Sequence, residues 1–256
     1  MALPCPEAPP RPIFSDAIDL ILHQRESISG GVCIGGPNEF GHLALLHLRT
    51  SVLAMVLAIV LTVPLGLYLG HIRKGEFFAV SVSNVGRAVP SLALLAFFVA
   101  FLGVGLLNVV VVFTLLAIPP ILTNTYVGVR QVDAETVAAA RGVGLTEGQI
   151  MRQIELPMAA PTIFAGIRTS TVAVVATATI TPLFDVQSLG TPILEPQTYG
   201  DAGQVGAAIV VALITLAVDV GIGALARAAT PKGLVVGGER SATRPGRRFS
   251  IGIPAR

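Results

Sequence analysis

The chain has 256 residues, of which 53% are apolar and only 12% are charged, and its mean hydropathy is +0.77. An ordinary soluble domain carries about 25% charged residues, so this composition excludes a soluble globule and indicates an integral membrane protein, which we expect to be all-α. The formal net charge of +2 is small. The basic residues gather near the C-terminal end, which gives no support for nucleic-acid binding.

The chain divides into an extension, a membrane domain and a tail. Residues 1–41 are interrupted by proline and glycine and lack the basic start and apolar core of a signal peptide, so we interpret them as an N-terminal extension. Residues 42–230 form the transmembrane domain. The basic tail, 231–256, is explained most simply by attraction to anionic membrane lipid.

Five stretches are long and apolar enough to cross the membrane, because a spanning helix needs about twenty mostly apolar residues. We predict spans at 48–70, 77–102, 106–129, 161–184 and 204–225. The second is the weakest, since its first half is polar, and we expect its helix to bend near Pro90. The stretch 66–70, GLYLG, is typical of a face on which two helices pack closely.

The distribution of lysine and arginine predicts the orientation, because short cytoplasmic loops retain positive charge. With the N-terminus outside and the C-terminus in the cytoplasm, the inner segments hold Arg73, Lys74, Arg130, Arg141, Arg152, Lys232, Arg240, Arg244, Arg247, Arg248 and Arg256. The outer segments hold Arg11 and Arg25, and the outer loop 185–203 has three acidic residues and no basic one. We therefore expect a multi-pass protein of the cell membrane.

The cytoplasmic segment 132–157 has the pattern of a helix, a turn and a second helix. Asp133 is placed to cap the first helix, and Glu135 lies favourably near its positive end. Ala138, Ala139 and Ala140 give that helix a small surface, and Gly142 and Gly144 end it. A small, flat helix face presented to the cytoplasm indicates a docking element, although an ordinary helical hairpin is the alternative.

The second helix of the segment has its own start and stop signals. Thr146 and Gln149 stand at the spacing of a capping box, and Ile154 lies on the apolar side of the helix that follows. We expect Pro157 to stop this helix.

The same segment resembles the cytoplasmic signature of inner-membrane permeases of binding-protein-dependent ABC importers. Ala139 and Ala140 match its two alanines, Gly144 its glycine, and Ile154, Leu156 and Pro157 its ending. The resemblance implies a permease fold of the MetI-like type, in which this segment is a coupling helix that binds a groove of the ATPase subunit. Ala138 stands where the signature has a glutamate, and we expect Glu135, one turn earlier, to replace it in part.

The resemblance is narrower than the superfamily. The stretches 58–66, 87–97, 117–129, 165–180 and 230–234 are similar to the glycine betaine, choline and carnitine branch, although the outer loop lacks that branch's glycine-rich run. The resemblance implies an importer of a compatible solute such as glycine betaine, choline, carnitine or proline. It also implies a separate ATP-binding subunit, an extracytoplasmic solute-binding protein and a second permease copy or paralogue. The chain has no GxxxxGK[ST] motif for ATP, so we expect a transport subunit and no enzyme.

Charges at membrane depth usually face the bundle interior and find a partner. Counting about 1.5 Å per residue places Arg87, Arg168 and Asp219 at similar depth, and we expect Asp219 to pair with Arg168, or failing that with Arg87, in a structural role. Small polar side chains suit a translocation path but also suit helix packing. The candidates are Asn124, Ser170, Thr171, Thr177, Thr179 and Thr181.

Other sites and functions find less support. The four histidines have no metal-ligand spacing and are interpreted as interfacial, so neither a metal nor a cofactor is predicted. Cys5 and Cys33 are expected to be free thiols, and one disulfide between them is the alternative if the N-terminus lies outside. A secondary transporter would show inverted repeats. An intramembrane enzyme would show paired catalytic acids, a metal cluster or a Ser/His constellation at membrane depth, where we expect Asp219 alone among the acids. An importer of an amino acid or another small polar solute stays open as the main alternative.

Overall fold

A computed structural model describes residues 5, 12–77, 81, 86 and 89–229. The first half contains α1 (Ile13–Leu22), β1 (Gln24–Glu26), β2 (Cys33–Gly35), α2 (Gly36–His71), α3 (Ser91–Leu102), α4 (Leu106–Arg130) and α5 (Ala134–Gly142). The second half contains α6 (Glu147–Ile150), a π-helical turn (Met151–Glu155), α7 (Leu156–Thr177), a 3-10 turn (Ala178–Phe184), α8 (Thr191–Leu194) and α9 (Pro196–Ala229). The strands β1 and β2 pair in an antiparallel hairpin.

The all-α membrane architecture is confirmed. In the described part of the chain, four helices are long and apolar enough to cross a membrane, namely Gly36–His71, Leu106–Arg130, Glu147–Phe184 and Pro196–Ala229, and each contains one predicted span. The second predicted span lies partly outside the described residues. Its second half is α3, which follows Pro90 in an extended conformation, so the expected bend is a break in the helix.

The glycines of the GLYLG stretch bring α2 and α4 into close contact. A Cβ added at Gly66 would lie 2.7 Å from the Cβ of Thr125, and one added at Gly70 would lie 2.7 Å from the Cβ of Val129. Real Cβ atoms do not approach so closely, so both positions require glycine. The predicted packing face is therefore confirmed.

The core lies where α2, α3, α4 and α7 meet, around fully buried side chains such as Leu95, Phe113 and Ile121. Polar side chains there bind backbone carbonyls across helices, as buried polar groups must. His47 is fully buried, and its Nε2 donates a hydrogen bond of 2.9 Å to the carbonyl of Val175. The interpretation of this histidine as interfacial is therefore wrong, because it fills a contact between α2 and α7.

The outer surface of the bundle is apolar. On α2, Val52, Val56 and Val60 follow one another at intervals of four residues and are each more than half exposed. Four-residue spacing places them on one face of the helix. A face of this kind is stable against lipid or against another apolar helix, and not against water.

The described part of the N-terminal extension is folded and packs on one end of the bundle. Ala17 and Leu20 of α1 are fully buried against the first turns of α9, and the hydroxyl of Tyr199 on α9 donates to the carboxylate of Glu39. Cys5 and Cys33 form a disulfide, with their Cα atoms 5.8 Å apart. The expectation of two free thiols is therefore wrong, and the alternative of one disulfide is correct, because the hairpin places Cys33 beside Cys5.

Candidate functional site

The first helix of the segment 132–157 begins where its capping residue predicts. The Asp133 carboxylate accepts hydrogen bonds from the backbone N–H of Glu135 at 3.2 Å and of Thr136 at 3.3 Å. These donors, first of all the N–H of Glu135, hold the pKa of Asp133 below its ordinary value. The helix ends at Gly142, and the chain reverses through Gly144, whose φ is +90°.

The second helix begins at the predicted capping box but does not end at Pro157. The Gln149 side chain accepts from the backbone N–H of Thr146 at 2.8 Å, and the Thr146 hydroxyl accepts from the N–H of Gln149. The chain then continues as helix to Phe184, so the expected stop at Pro157 is wrong.

A widened turn explains why the proline is tolerated. In the π-helical turn, the N–H of Leu156 donates to the carbonyl of Met151, five residues back. Proline has no N–H to donate, and its ring normally crowds the carbonyl four residues before it. A π turn has hydrogen bonds five residues apart, so it shifts that carbonyl and relieves the crowding. The second helix of the segment is therefore the N-terminal end of the helix that contains the fourth predicted span.

The helix α5 has one buried and one exposed side. Val137 and Ala140 are 5% and 6% exposed, and they pack with Val132 and Ile150. The opposite side is exposed, and we call it the docking face. It consists of Glu135, Ala138, Ala139, Gly142 and Val143.

The other residues of the predicted coupling motif have different surroundings. Ala140 points into the hairpin and is buried, so it holds the two helices of the segment together. Ile154 is partly buried against the same cluster. Leu156 is 36% exposed, and Pro157 is partly buried.

A cluster of histidine, glutamate and arginine side chains joins the C-terminal end of α2 to both helices of the segment. His71 Nδ1 lies 2.7 Å from Glu155 Oε2, and its Nε2 lies 3.0 Å from Glu147 Oε2. Arg141 donates to both carboxylate oxygens of Glu147, at 2.7 Å and 2.9 Å, and this contact raises the pKa of the Arg141 guanidinium. The sequence did not indicate this cluster, since His71 and Glu155 are 84 residues apart and form no motif.

The structure brings Arg168 on α7 together with Asp219 on α9. The guanidinium Nε and Nη2 donate to the two oxygens of the carboxylate, in a bidentate pair. In the chain alone, the arginine side chain is 50% exposed and the aspartate side chain 25% exposed. Arg87, the other expected partner, lies outside the described residues.

Three of the candidate path residues have polar contacts within the bundle. Ser170 is buried, and its hydroxyl donates to the carbonyl of Ala117 on α4 at 2.9 Å. Asn124 Nδ2 donates to the carbonyl of Pro120 at 2.8 Å. Thr181 is buried within the 3-10 turn, and its hydroxyl donates to the carbonyl of Val186 at 2.9 Å. Ser170 and Thr181 therefore fit the helix-packing alternative.

The other three candidates lie on α7 or just beyond it and are half-buried. The Thr171 hydroxyl donates to the carbonyl of Ile167 and the Thr179 hydroxyl to that of Ala176, and Thr177 is the last residue of α7. Thr179 lines a cavity between α7 and α9. In the described residues, no group of three or more potential metal ligands is found.

Comparison with known proteins gives the family. The chain matches the family described as binding-protein-dependent transport system inner membrane component over residues 62–232. The choline transport system permease protein OpuBB of Bacillus subtilis (strain 168) is 35% identical over 189 residues, which are 73% of this chain and 87% of the relative. The carnitine transport permease protein OpuCB of Listeria monocytogenes is 38% identical over 201 residues, which are 77% of this chain and 92% of the relative.

Solved structures agree on the fold. A chain of the MetNI methionine ABC transporter in an inward-facing conformation matches with a TM-score of 0.65 and 18% identity, over 75% of this chain and 96% of that chain. At this identity, the likeness shows the fold alone. The family match covers well over half of this chain, and the chain therefore belongs to the inner membrane components of binding-protein-dependent transport systems.

Proposed function

We propose that the chain is the permease subunit of an ATP-driven importer for small quaternary-ammonium osmoprotectants, such as glycine betaine, carnitine and choline. One observation supports this solute class above all. Relatives named for the transport of these solutes are 35% to 38% identical to the chain, over at least 87% of their own length. Proline, which the sequence analysis included, has no such support.

A separate ATP-binding subunit supplies the energy in this proposal. The sequence has no phosphate-binding GxxxxGK[ST] loop of its own. The docking face is small and exposed, and Val143 at its end is 77% exposed, which suits insertion into a groove of a partner. Glu135 lies on the same face and offers a carboxylate one turn before Ala138.

The continuous helix Glu147–Phe184 is suited to carry movement from the docking face into the membrane. The helix α5, which carries the docking face, packs on the inner end of this helix through its buried side, Val137 and Ala140, and the His71 cluster joins the same end to α2. A displacement of the segment by the ATPase therefore moves two spans together. Transport follows from alternation between inward-open and outward-open arrangements of the spans, each favoured by one nucleotide state.

The N-terminus lies outside and the C-terminus in the cytoplasm in this proposal. The disulfide Cys5–Cys33 supports the assignment, because disulfides persist in oxidising compartments and not in the cytoplasm. The charges support it too. Arg73 and Lys74 lie at the end of α2 nearest the segment 132–157, and positive charge is retained on the inner side.

The proposal includes two further protein partners and lipid. An extracytoplasmic solute-binding protein meets the end of the bundle that carries the folded extension, and a second permease copy or paralogue completes the passage. The apolar stripe of α2 contacts lipid. No nucleic-acid partner is expected.

Uptake measurements test the proposal. The gene for the chain is deleted, and uptake of labelled glycine betaine, carnitine, choline and proline is followed at high osmolarity, with the intact chain restored as the control. We expect the deletion to abolish uptake of at least one quaternary-ammonium solute and the restored chain to recover it. Unchanged uptake of all three would contradict the solute class, and loss of amino-acid uptake alone would support the alternative cargo.

A variant of the docking face tests the coupling of the permease to the ATPase separately from the passage of solute through the membrane. Val143→Asp places a charge on the exposed face without touching the core, and we expect the permease to reach the membrane but to lose uptake and solute-stimulated ATP hydrolysis. Val32→Asp, on the exposed hairpin turn at the other end, is the matched control. Full ATPase stimulation by Val143→Asp would contradict the role of this face.

A further inference from the structure

The ion pair between Arg168 and Asp219 divides a groove between α7 and α9 into two cavities. The first, of about 620 Å³, lies towards the segment 132–157 and is lined by Phe164, Thr169 and Arg227 among others. The second, of about 680 Å³, lies towards the extension and is lined by Thr179 and Thr215 among others. Both cavities reach Asp219, so the pair stands at the boundary between them.

The exposure of the pair indicates that this groove does not face lipid. Half of the Arg168 side chain and a quarter of the Asp219 side chain are exposed in the chain alone. Charged groups at membrane depth are costly against hydrocarbon, and they face a bundle interior or a water-filled cavity. The lipid-facing stripe of α2 is apolar by contrast. The groove therefore belongs to a watered or protein-covered side of the assembled transporter.

We infer that Arg168 and Asp219 form a zwitterion-selective step in the path of the solute, a specificity role that rests on the proposed function. A solute with a carboxylate and a quaternary ammonium presents both charges of the pair in one molecule. The carboxylate of the solute accepts the two hydrogen bonds that Arg168 donates. Its ammonium group has no N–H to donate and is attracted by the negative charge of Asp219. The aromatic face of Phe164 lies in the same cavity and attracts a quaternary ammonium as well.

The exchange of partners favours zwitterions over simple cations. When a zwitterion opens the pair, each protein charge gains a new partner and none is left unpaired. When a cation such as choline binds Asp219, Arg168 loses its partner and gains none, which is unfavourable for a charge at membrane depth. The intact pair therefore passes glycine betaine and carnitine more readily than choline.

The test is the ratio of choline uptake to glycine betaine uptake, measured with the complete transporter in cells and normalised to the amount of permease in the membrane. Arg168→Gln leaves a lone carboxylate, and we expect the ratio to rise about tenfold. Asp219→Asn leaves a lone guanidinium, and we expect the ratio to fall by a similar factor. Arg130→Gln removes an arginine at the end of α4, away from the groove, and leaves the ratio unchanged.

A further variant covers the case in which breaking the pair prevents assembly. Thr169→Asp adds a carboxylate to the first cavity and keeps the pair, so the ratio is expected to rise severalfold in a folded permease. A purely structural pair would lower the uptake of both solutes alike, and a ratio within about twofold of the unaltered chain in all groove variants would overturn the inference. If the unaltered chain carries none of these solutes, the proposed function fails and the inference fails with it.

Discussion

The cluster around His71 makes a quantitative prediction about what holds the segment 132–157 to the first span. The His71 and Glu155 side chains are 9% and 6% exposed, whereas the Glu147 side chain is 55% exposed. His71→Ala removes the imidazole from both carboxylates. The loss at Glu155 dominates, because that carboxylate stays buried after its partner has gone.

The magnitude follows from the difference in burial. Removing one partner of a buried hydrogen bond costs about 1 to 3 kcal/mol, and His71 contacts two carboxylates, so we expect His71→Ala to lower the free energy of unfolding by about 3 kcal/mol. Glu147→Ala removes a carboxylate that is itself 55% exposed, so water solvates and screens its contacts, and the effect should be much smaller. For a chain of this size, about 3 kcal/mol corresponds to a fall in Tm of about 6 to 12 °C.

Thermal unfolding of the purified complex in detergent, followed by circular dichroism, measures these differences. Adding Glu155→Gln to His71→Ala replaces the buried carboxyl that has lost its partner with a neutral amide, and the double variant should recover part of the lost Tm. Equal shifts for His71→Ala and Glu147→Ala would refute the reasoning. The reasoning would also be refuted if the Tm loss of the double variant equalled the sum of the losses of His71→Ala and Glu155→Gln measured singly.

Three other variants have defined outcomes. Gly70→Ala forces α2 away from α4 and should destabilise the fold by about 1 to 3 kcal/mol. Gly221→Ala, whose added Cβ meets open space, should not destabilise it. Equal Tm values for the two variants would contradict this prediction. Gly190→Ala puts a Cβ onto a backbone carbonyl, which cannot move as a side chain can, so little folded protein should reach the membrane. Normal membrane levels on an immunoblot would be the contrary result. The pKa of Asp133 is lower in the folded chain than in the unfolded chain. Its cap therefore stabilises α5 fully at pH values above the unfolded carboxyl pKa of about 4, and this stabilisation is lost as the pH falls through the lower folded pKa. The hydrogen exchange of the α5 backbone amides should therefore accelerate below about pH 4. It should not do so in Asp133→Asn, because the asparagine side chain caps the helix at every pH. The same acceleration in the unaltered chain and in Asp133→Asn would exclude the cap as the cause.

The sequence predicts those features that depend on local chemistry or on membrane depth. Long apolar stretches locate the spans because the bilayer imposes a length. The caps at Asp133 and Thr146 follow from side chains that satisfy nearby N–H groups. Arg168 and Asp219 could be matched by counting residues from the predicted ends of their spans, since partners in neighbouring spans must lie at the same depth.

Features that depend on distant contacts could not be predicted in this way. Proline normally ends a helix, and only the π turn ahead of Pro157 shows how the helix continues. His71 meets Glu155 through the packing of α2 against the fourth span, and no spacing signals it. The disulfide of Cys5 and Cys33 depends on the hairpin that returns one cysteine to the other, as well as on the compartment.

Site-specific labelling and cross-linking at Val143 test the central claim most directly, namely that the docking face lies in the cytoplasm against an ATPase. Val143→Cys should react with a membrane-impermeant thiol reagent only after the membrane is opened, and it should cross-link to the ATP-binding subunit of the intact complex. Val32→Cys, on the hairpin, should react from outside and should not cross-link. Labelling of Val143→Cys from outside in intact cells, or the absence of any cross-link to the ATP-binding subunit, would contradict the account.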